Sequence, residues 1–356
     1  MGMFKTNKVK CDIGSYIHYW RGVKKVGKTT LFYELVKKQF GDLNKGLLIS
    51  IGDEIGYQAL DGLIYAECPT WADLIEVINE LVENKSDNEF EIVALDTVDE
   101  MIKLAQEEVK RLHKKAKGQA AEFNACFGGF GMPRKKVEEL VDEQLARIRR
   151  AGYGLVYIGH TKLRDIQEKN GDSYQQLTSN LSADYDAIFA NKADIVMTIV
   201  VEKDIDENKR ISGTERYMYF RSDGFVDAGG RFSKMPDKIE YGAENYIQAF
   251  EAGVKGAMIS DISDKEITKR KKEEKEIRIK KAQEFIEEEK ADKAENELEE
   301  QREKLIAEIT ETFSKASDEQ KKAAKEALVG AGFKKFTDPD VPVVLLKEIA
   351  EGLANE

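Results

Sequence analysis

Residues 22–29 read GVKKVGKT and fit the pattern G-x-x-x-x-G-K-[ST] at every fixed position. The β-rich run SYIHYW (15–20) precedes this stretch, and the helical run LFYELVKKQF (31–40) follows it. A glycine-bearing loop between a strand and a helix turns backbone N–H groups toward phosphate oxygens at the helix N-terminus. Lys28 is then expected to reach the β- and γ-phosphates, and the Thr29 hydroxyl to ligate Mg²⁺. The stretch therefore predicts a phosphate site formed by Gly22, Val26, Gly27, Lys28, Thr29 and Thr30.

A second strand-like run supplies a carboxylate. In EIVALDT (91–97), four apolar residues lead to Asp96 at the predicted end of a buried strand. Ligands of α/β sheets bind outside the carboxyl ends of the strands, so Asp96 is expected beside the phosphate loop. There it would hold Mg²⁺ together with Thr29. ATP and Mg²⁺ are the expected cofactors.

Hydrolysis also requires a group that orients the attacking water. Two glutamates compete for this role: Glu54, which follows the run GLLISIG (46–52), and Glu100, four residues after Asp96. Asp53 is a third, weaker candidate. His160 ends the run GLVYIGH (154–160), so it is expected at the same sheet edge, where it would sense the γ-phosphate.

The alternation of strand-like and helical runs predicts an α/β core with a mainly parallel sheet. Helical spacing recurs at 72–84 and 137–152, and strand-like runs continue with DIVMTIVVE (194–202). RISGTERYMYFRSD (210–223) is typical of the arm of an antiparallel hairpin. We place the boundaries of this core at residues 1–256.

The composition changes after Gly256. No Gly or Pro occurs between Ala257 and Val329, and 31 of the 52 residues from Asp264 to Lys315 are charged. This predicts a charged helical arm (257–318) followed by a small helical C-terminal module (319–356) with two short helices. The arm's apolar stripe is thin, so a chain ending near Ala257 is expected to keep nearly the full melting temperature. The module is expected to recruit a protein partner, such as a single-strand-binding protein or another protomer.

Charge and composition exclude several classes of protein. The 356 residues include 56 Lys and Arg against 67 Asp and Glu, a net charge of −11, which excludes a uniformly basic nucleic-acid coat. No apolar run approaches the roughly 20 residues of a membrane span, and the N-terminus lacks an apolar signal core. Cys11, Cys68 and Cys126 form neither a metal pattern nor an even disulfide framework. We expect a cytoplasmic protein without membrane contact.

These motifs resemble the RecA-like ATPases and, more closely, the phage-encoded nucleotide-binding proteins of the Sak recombinase type. The resemblance covers residues 10–245 and rests on ISIGDEIG, IVALDTVDEM, VYIGHTK and GGRF. It implies a RecA-like P-loop NTPase core and favours Glu54 as the water-orienting acid. It also implies a homo-oligomer in which a cation, Arg221 or Arg231, acts on a neighbour's site. The phosphate loop departs from the family in carrying Lys24 and Lys25 where Pro and Gly are frequent.

RecA-like proteins place DNA on two loops. One follows the Walker B strand, which here ends at Asp96, and the other follows the sensor strand, which here ends at His160. The first interval here, residues 110–136, holds eight Lys or Arg and one acid, with phenylalanines among glycines. Basic segments with aromatic rings suit single-stranded DNA, although a solvated helix with a packed glycine turn is the alternative. The second interval, 161–182, is expected to be a mobile loop with Lys162, Arg164 and Tyr174 as weaker candidates. The residues expected to bind DNA are Lys114, Lys115, Phe127, Phe130, Arg134, Lys135 and Lys136.

These features together favour an ATPase that acts on single-stranded DNA in phage recombination or replication, by annealing or strand exchange. The alternative is a nucleotide-dependent oligomeric switch that recruits a replication partner. A P-loop kinase is less well supported, because the basic and aromatic interval suits a polymer and no lid of closely spaced arginines is evident.

Overall fold

The computed structural model describes residues 6–169, 171–205, 207, 211–260 and 262–354. Within them the chain divides into two units, the first ending at Gln283 and the second beginning at Glu284. The strands are β1 (Ile17–Gly22), β2 (Gly46–Ile51), β3 (Tyr65–Cys68), β4 (Ile92–Asp96), β5 (Gly154–Gln167), β6 (Ser173–Ser179), β7 (Ile195–Ile205), β8 (Ile211–Tyr219), β9 (Gly229–Gly230) and β10 (Lys238–Glu240). The helices are α1 (Lys28–Phe40), α2 (Trp71–Glu83), α3 (Val98–Lys117), α4 (Met132–Arg150), α5 (Ala183–Ala190), α6 (Ala243–Gly256), α7 (Asp264–Lys315), α8 (Asp318–Gly330) and α9 (Val343–Ala354).

The sheet has the order β10-β8-β7-β1-β5-β4-β2-β3, with β6 paired to β5 and β9 paired to β7. Strands β7, β1, β5, β4, β2 and β3 are parallel to their neighbours within this run. Strands β8 and β10 extend the sheet in antiparallel fashion, which confirms the predicted hairpin arm. The predicted α/β fold with a mainly parallel sheet is therefore confirmed.

Burial explains why the central strands could be identified from sequence. Every residue of β1, β2 and β4 is buried, as expected for strands that helices cover on both faces. On one face, Trp20 of β1 shares a core with Phe32 of α1 and Tyr246 of α6. The Tyr246 hydroxyl accepts a hydrogen bond from Trp20 Nε1 at 3.0 Å, so these two buried polar groups are hydrogen-bonded to each other.

The prediction of a mobile loop over residues 161–182 is wrong. Strand β5 continues to Gln167 and pairs with β6 in an antiparallel hairpin, with Leu163 opposite Leu177. Leu177 is buried, and its backbone N–H donates to the carbonyl of Phe225. Strand β6 was not predicted because most of its side chains are polar. Only one position on β6, Leu177, carries a large buried apolar side chain.

The first unit extends beyond the predicted core boundary at residue 256. The Glu274 carboxylate on α7 accepts hydrogen bonds from the backbone N–H groups of Cys11, at 2.8 Å, and Asp12, at 2.9 Å. The Arg278 guanidinium lies 2.7 Å from Asp12 Oδ2 and 3.1 Å from Glu91 Oε2. Because these anchors are charged, the composition of α7 indicated only a solvated arm. The structure instead includes α7 as far as Gln283 in the first unit.

The second unit is a helical module with its own core. The predicted short helices are α8 and α9, and the end of α7 packs with them through Ile309. Leu328 of α8 and Ile349 of α9 are buried in the same cluster. None of the helices in the described ranges combines the length and apolar character that a bilayer-spanning segment requires.

Candidate nucleotide-binding site

The phosphate loop connects β1 to α1. Gly27 caps α1 with φ of 109°, a conformation that disfavours residues other than glycine. A Cβ atom on Gly27 would also lie 2.6 Å from the Tyr241 hydroxyl, so the position requires glycine for two reasons. Lys28 Nζ donates to the carbonyls of Gly22 and Val23, at 3.0 Å each. Its ammonium group is therefore held inside the loop, where phosphate oxygens are expected.

The predicted loop residues differ in their exposure. Val26 is buried. A Cβ atom on Gly22 would lie 2.8 Å from Val26 Cγ1, so Val26 packs directly against Gly22 inside the loop. Thr30 is exposed in the first turn of α1. Its backbone N–H lies at the helix N-terminus, where anions are favoured.

Two residues that the sequence analysis missed hold the loop from outside. Arg216 on β8 donates to the carbonyl of Val26 at 3.1 Å, and the Tyr241 hydroxyl donates to the carbonyl of Gly27 at 2.8 Å. The guanidinium carbon of Arg216 lies 4.1 Å from the centroid of the Tyr241 ring. The two side chains thus form one brace on the phosphate loop. No local signal marks them, because they approach only through the pairing of β8 with β7 and β10.

Thr29 and Asp96 meet at the carboxyl edge of the sheet. The Thr29 hydroxyl donates to Asp96 Oδ2 at 2.7 Å. Burial raises the pKa of the Asp96 carboxyl to about 6, although the Thr29 hydrogen bond and the charge of Lys28 oppose this change. Burial also lowers the pKa of Lys28, against the nearby charges of Asp96, Asp99 and Glu54. The pair therefore contains a buried carboxylate whose charge is incompletely compensated by the protein.

These groups fit a magnesium ion that is shared with a nucleotide. Mg²⁺ prefers hard oxygen ligands and is usually bound by one or two protein groups together with phosphates and water. Thr29 and Asp96 offer a hydroxyl and a carboxylate, and a cation would compensate the buried charge. In the part of the chain that the structure describes, no group of three or more His, Cys, Asp or Glu is arranged to hold a metal.

The three acid candidates have different surroundings. The Ser50 hydroxyl binds the carbonyl of Glu54 and so fixes the turn after β2, and a Cβ atom on Gly56 would lie 3.0 Å from Thr29 Oγ1. The half-buried Glu54 carboxylate raises the pKa of Asp96, so it acts electrostatically on the site. Glu100 pairs with Lys103 and packs beside Gly52, and Asp53 is exposed. The turn that carries Glu54 therefore lies against Thr29.

His160 lies beside the loop and is held by residues that the sequence analysis missed. It pairs with Gly22 across β5 and β1, and its backbone N–H donates to Asp99 Oδ2 at 2.9 Å. Its ring Nδ1 lies 3.5 Å from the same oxygen. Burial alone would raise the pKa of Asp99, but hydrogen bonds from His160 and Asn180 hold it below its ordinary value. Asp99 therefore orients His160 as an ionised carboxylate.

Asn180 completes this network from the β6 side. Its side-chain amide donates to Asp99 Oδ1 at 3.0 Å, and its backbone N–H donates to the carbonyl of His160 at 2.8 Å. Asn180 immediately follows β6, so the base of the β5–β6 hairpin is hydrogen-bonded to the residue beside the phosphate loop. The only sequence signal was the second acid in DTVDE, at the start of the helix after Asp96.

The structure does not bring Arg221 or Arg231 to the phosphate loop of the same chain. Arg231 pairs with Asp194 at 3.0 Å, and Asp194 accepts from the backbone N–H of Ile17 at the opposite end of β1. Arg221 donates to the carbonyl of Phe232 at 2.8 Å and pairs with Asp237. Arg216 instead contacts the loop of its own chain.

The predicted DNA residues lie at the end of α3, in the segment between α3 and α4, and at the start of α4. Helix α3 begins two residues after Asp96, and Arg134 near the start of α4 lies 3.3 Å from Asp184 in the first turn of α5. Since α5 follows the Asn180 segment, the start of α4 lies on the nucleotide side of the sheet. Lys114, Lys115 and Lys135 are exposed there.

The two phenylalanines that are predicted to bind DNA differ in their exposure. Phe127 is half-buried, with its ring 5.1 Å from that of His113 and Lys136 Nζ 4.6 Å from its centroid. Phe130 is fully exposed, at 105%, and has φ of 49° in a run of glycines with positive φ. Only Phe130 presents a free ring face.

Comparison with known proteins agrees with this geometry. A family model described as an AAA domain matches residues 17–232, which span the sheet from β1 to the segment after β9. The comparison with curated proteins finds no match. The matched region contains the phosphate loop, Asp96 and His160 and exceeds half of the chain. The chain therefore belongs to the AAA domain family and has the nucleotide-binding core of a P-loop ATPase.

Proposed function

We propose that this protein is a Mg²⁺-dependent ATPase that acts on single-stranded DNA in phage recombination or replication, in the manner of the Sak-type proteins it resembles. Lys28 and the loop amides bind the ATP phosphates, Thr29 and Asp96 hold the cation, and Glu54 orients the attacking water. His160, positioned by Asp99, contacts the γ-phosphate side of the site. In a homo-oligomer, Arg221 or Arg231 would supply a cation to the neighbouring site.

The observation that carries the DNA proposal is the position of the basic turn, by which we mean residues 110–136: the end of α3, the connecting segment and the start of α4. Helix α3 starts directly after the Asp96–Thr97 junction and ends in exposed lysines, and the following turn presents the bare ring of Phe130. A rigid helix of 20 residues thus connects the cation site to a surface suited to a nucleic-acid backbone and its bases. The Asn180 network gives the β5–β6 hairpin a second connection to the same site.

Neutralising the basic turn tests this proposal. We expect the variant with Lys114, Lys115, Lys135 and Lys136 changed to Gln to bind oligo-dT more weakly and with a shallower salt dependence. Each lost phosphate contact reduces the slope of log affinity against log salt by about 0.7 on single strands. Phe130→Ala is expected to cost about 1–3 kcal/mol of binding with little change in that slope, because stacking is uncharged. Fluorescence anisotropy over a salt series measures both effects.

The matched control neutralises four lysines elsewhere in the first unit, Lys37, Lys38, Lys203 and Lys234, which removes the same total charge. We expect this variant to keep the wild-type slope. If the slope of log affinity against log salt falls equally in the control and in the turn variant, the DNA binds elsewhere or through net charge alone.

The second candidate function is a nucleotide-dependent oligomeric switch that recruits a replication partner. The observation that favours it is the second unit, which has its own apolar core and a long charged helix leading into it. In that case ATP turnover would be independent of DNA, which separates the two candidates experimentally.

A further inference from the structure

The second unit contains an apolar cavity that the proposed ATPase function does not use. Its volume is about 320 Å³, and it lies between α8, α9, the end of α7 and the turn before Pro339. Leu328 and Ile349 form its buried floor, and the rings of Phe313 and Phe336, 6.4 Å apart, form a wall. Ligand pockets usually range from about 300 to 1,000 Å³, so this cavity is suited to one or two side chains.

Three lysines surround the mouth of this cavity. Lys325, Lys334 and Lys335 all line it and are exposed. Lys325 Nζ lies 5.9 Å from the centroid of the Phe313 ring. In the described part of the chain, no carboxylate lies within ion-pair distance of Lys334 or Lys335, and no acidic residue lines the cavity. The chain as a whole carries a net charge of −11, so this cationic rim contrasts with the average charge of the molecule.

We propose that the cavity binds an acidic peptide of a partner protein, with one aromatic or large aliphatic side chain in the cavity and carboxylates on the lysine rim. The apolar floor would remove the inserted side chain from water, which drives association. The lysines would then select acidic neighbours by charge complementarity, which contributes specificity and association rate. This interaction is separate from the nucleotide site, and its failure would leave the ATPase proposal untouched.

The test uses the full chain and a fluorescein-labelled synthetic peptide, Asp-Asp-Asp-Asp-Leu-Phe, with a free C-terminal carboxylate. We expect saturable binding by anisotropy, weakened about tenfold or more by the double variant K334E/K335E. The peptide with Ala in place of Phe is expected to bind at least about tenfold more weakly, since it leaves the cavity unfilled. Both lysines are exposed, so the variant is expected to melt at the wild-type temperature.

The matched control is K321E/K322E, which makes the same charge change on α8 at residues that do not line the cavity. We expect it to retain most of the peptide affinity. The proposal is overturned if no saturable binding occurs up to about 1 mM peptide, or if the control weakens binding as much as K334E/K335E. Displacement of the peptide by oligo-dT would identify a nucleic-acid surface instead. A change of oligomeric state in K334E/K335E, measured by sedimentation, would assign the cavity to a second copy of the chain.

Discussion

Lys28→Ala is expected to lower ATP turnover by about 10²- to 10³-fold, the usual effect of losing one preorganised charge from a transition-state site. Lys28 Nζ lies 3.0 Å from the carbonyl oxygens of Gly22 and Val23. From this position it would bind the β- and γ-phosphates of ATP. Glu54→Gln is expected to retain bound ATP and to lose hydrolysis, because the amide keeps the size of the side chain but not its ability to accept a proton from water. Nucleotide binding and phosphate release measured on the same preparations separate the two effects.

Glu100→Gln is the matched control for the acid. The half-buried Glu100 carboxylate is already paired with Lys103, so we expect its change to Gln to leave turnover nearly unchanged. Normal hydrolysis by Glu54→Gln together with loss of hydrolysis in Glu100→Gln would show that the water-orienting acid is assigned wrongly.

The second large effect concerns α7. We expect a chain ending after residue 283 to melt near the temperature of the first unit in the full chain, and a chain ending after residue 257 to melt about 10 °C lower. The shorter chain loses the two Arg278 ion pairs, with Asp12 and Glu91, and the bonds from the Cys11 and Asp12 backbone to Glu274. Hydrogen bonds to charged groups contribute about 1.5–3 kcal/mol each, and a domain of this size loses roughly 2–4 °C per kcal/mol.

Differential scanning fluorimetry of the two truncations, with and without ATP, makes this comparison directly. Equal melting temperatures would mean that the α7 contacts contribute nothing, and would restore the boundary at residue 256 that the charge composition predicts. The single variant Arg278→Met in the full chain is the control, since it removes the ion pairs while keeping the helix.

The features that a local sequence pattern specifies could be predicted from the sequence. The phosphate loop, the strand that delivers Asp96 and the buried strands with continuous apolar runs were all predicted, because each is specified by residues close together in the chain. His160 was placed on the correct edge for the same reason: parallel strands align their carboxyl ends.

The features that the sequence did not reveal depend on tertiary pairing. Arg216 and Tyr241 reach the phosphate loop only after β8 and β10 join the sheet, 190 and 214 residues from their hydrogen-bond partners. Asn180 reaches Asp99 only because β6 folds back on β5. Helix α7 attaches through Glu274 and Arg278, and charged residues in a highly charged helix give no periodic apolar signal. In each case the contact joins polar groups from elements that are far apart in the chain, so no local sequence pattern indicates it.

The rate of ATP hydrolysis with and without single-stranded DNA tests the central proposal most directly. The wild-type chain is assayed with Mg²⁺, with saturating oligo-dT or with no DNA, and with the Lys114, Lys115, Lys135 and Lys136 variant as the reference. If the turn between α3 and α4 connects DNA to the cation site, oligo-dT should stimulate the wild-type rate and have little effect on the variant. Equal rates with and without DNA in the wild-type chain would contradict the proposal and favour the nucleotide-dependent switch.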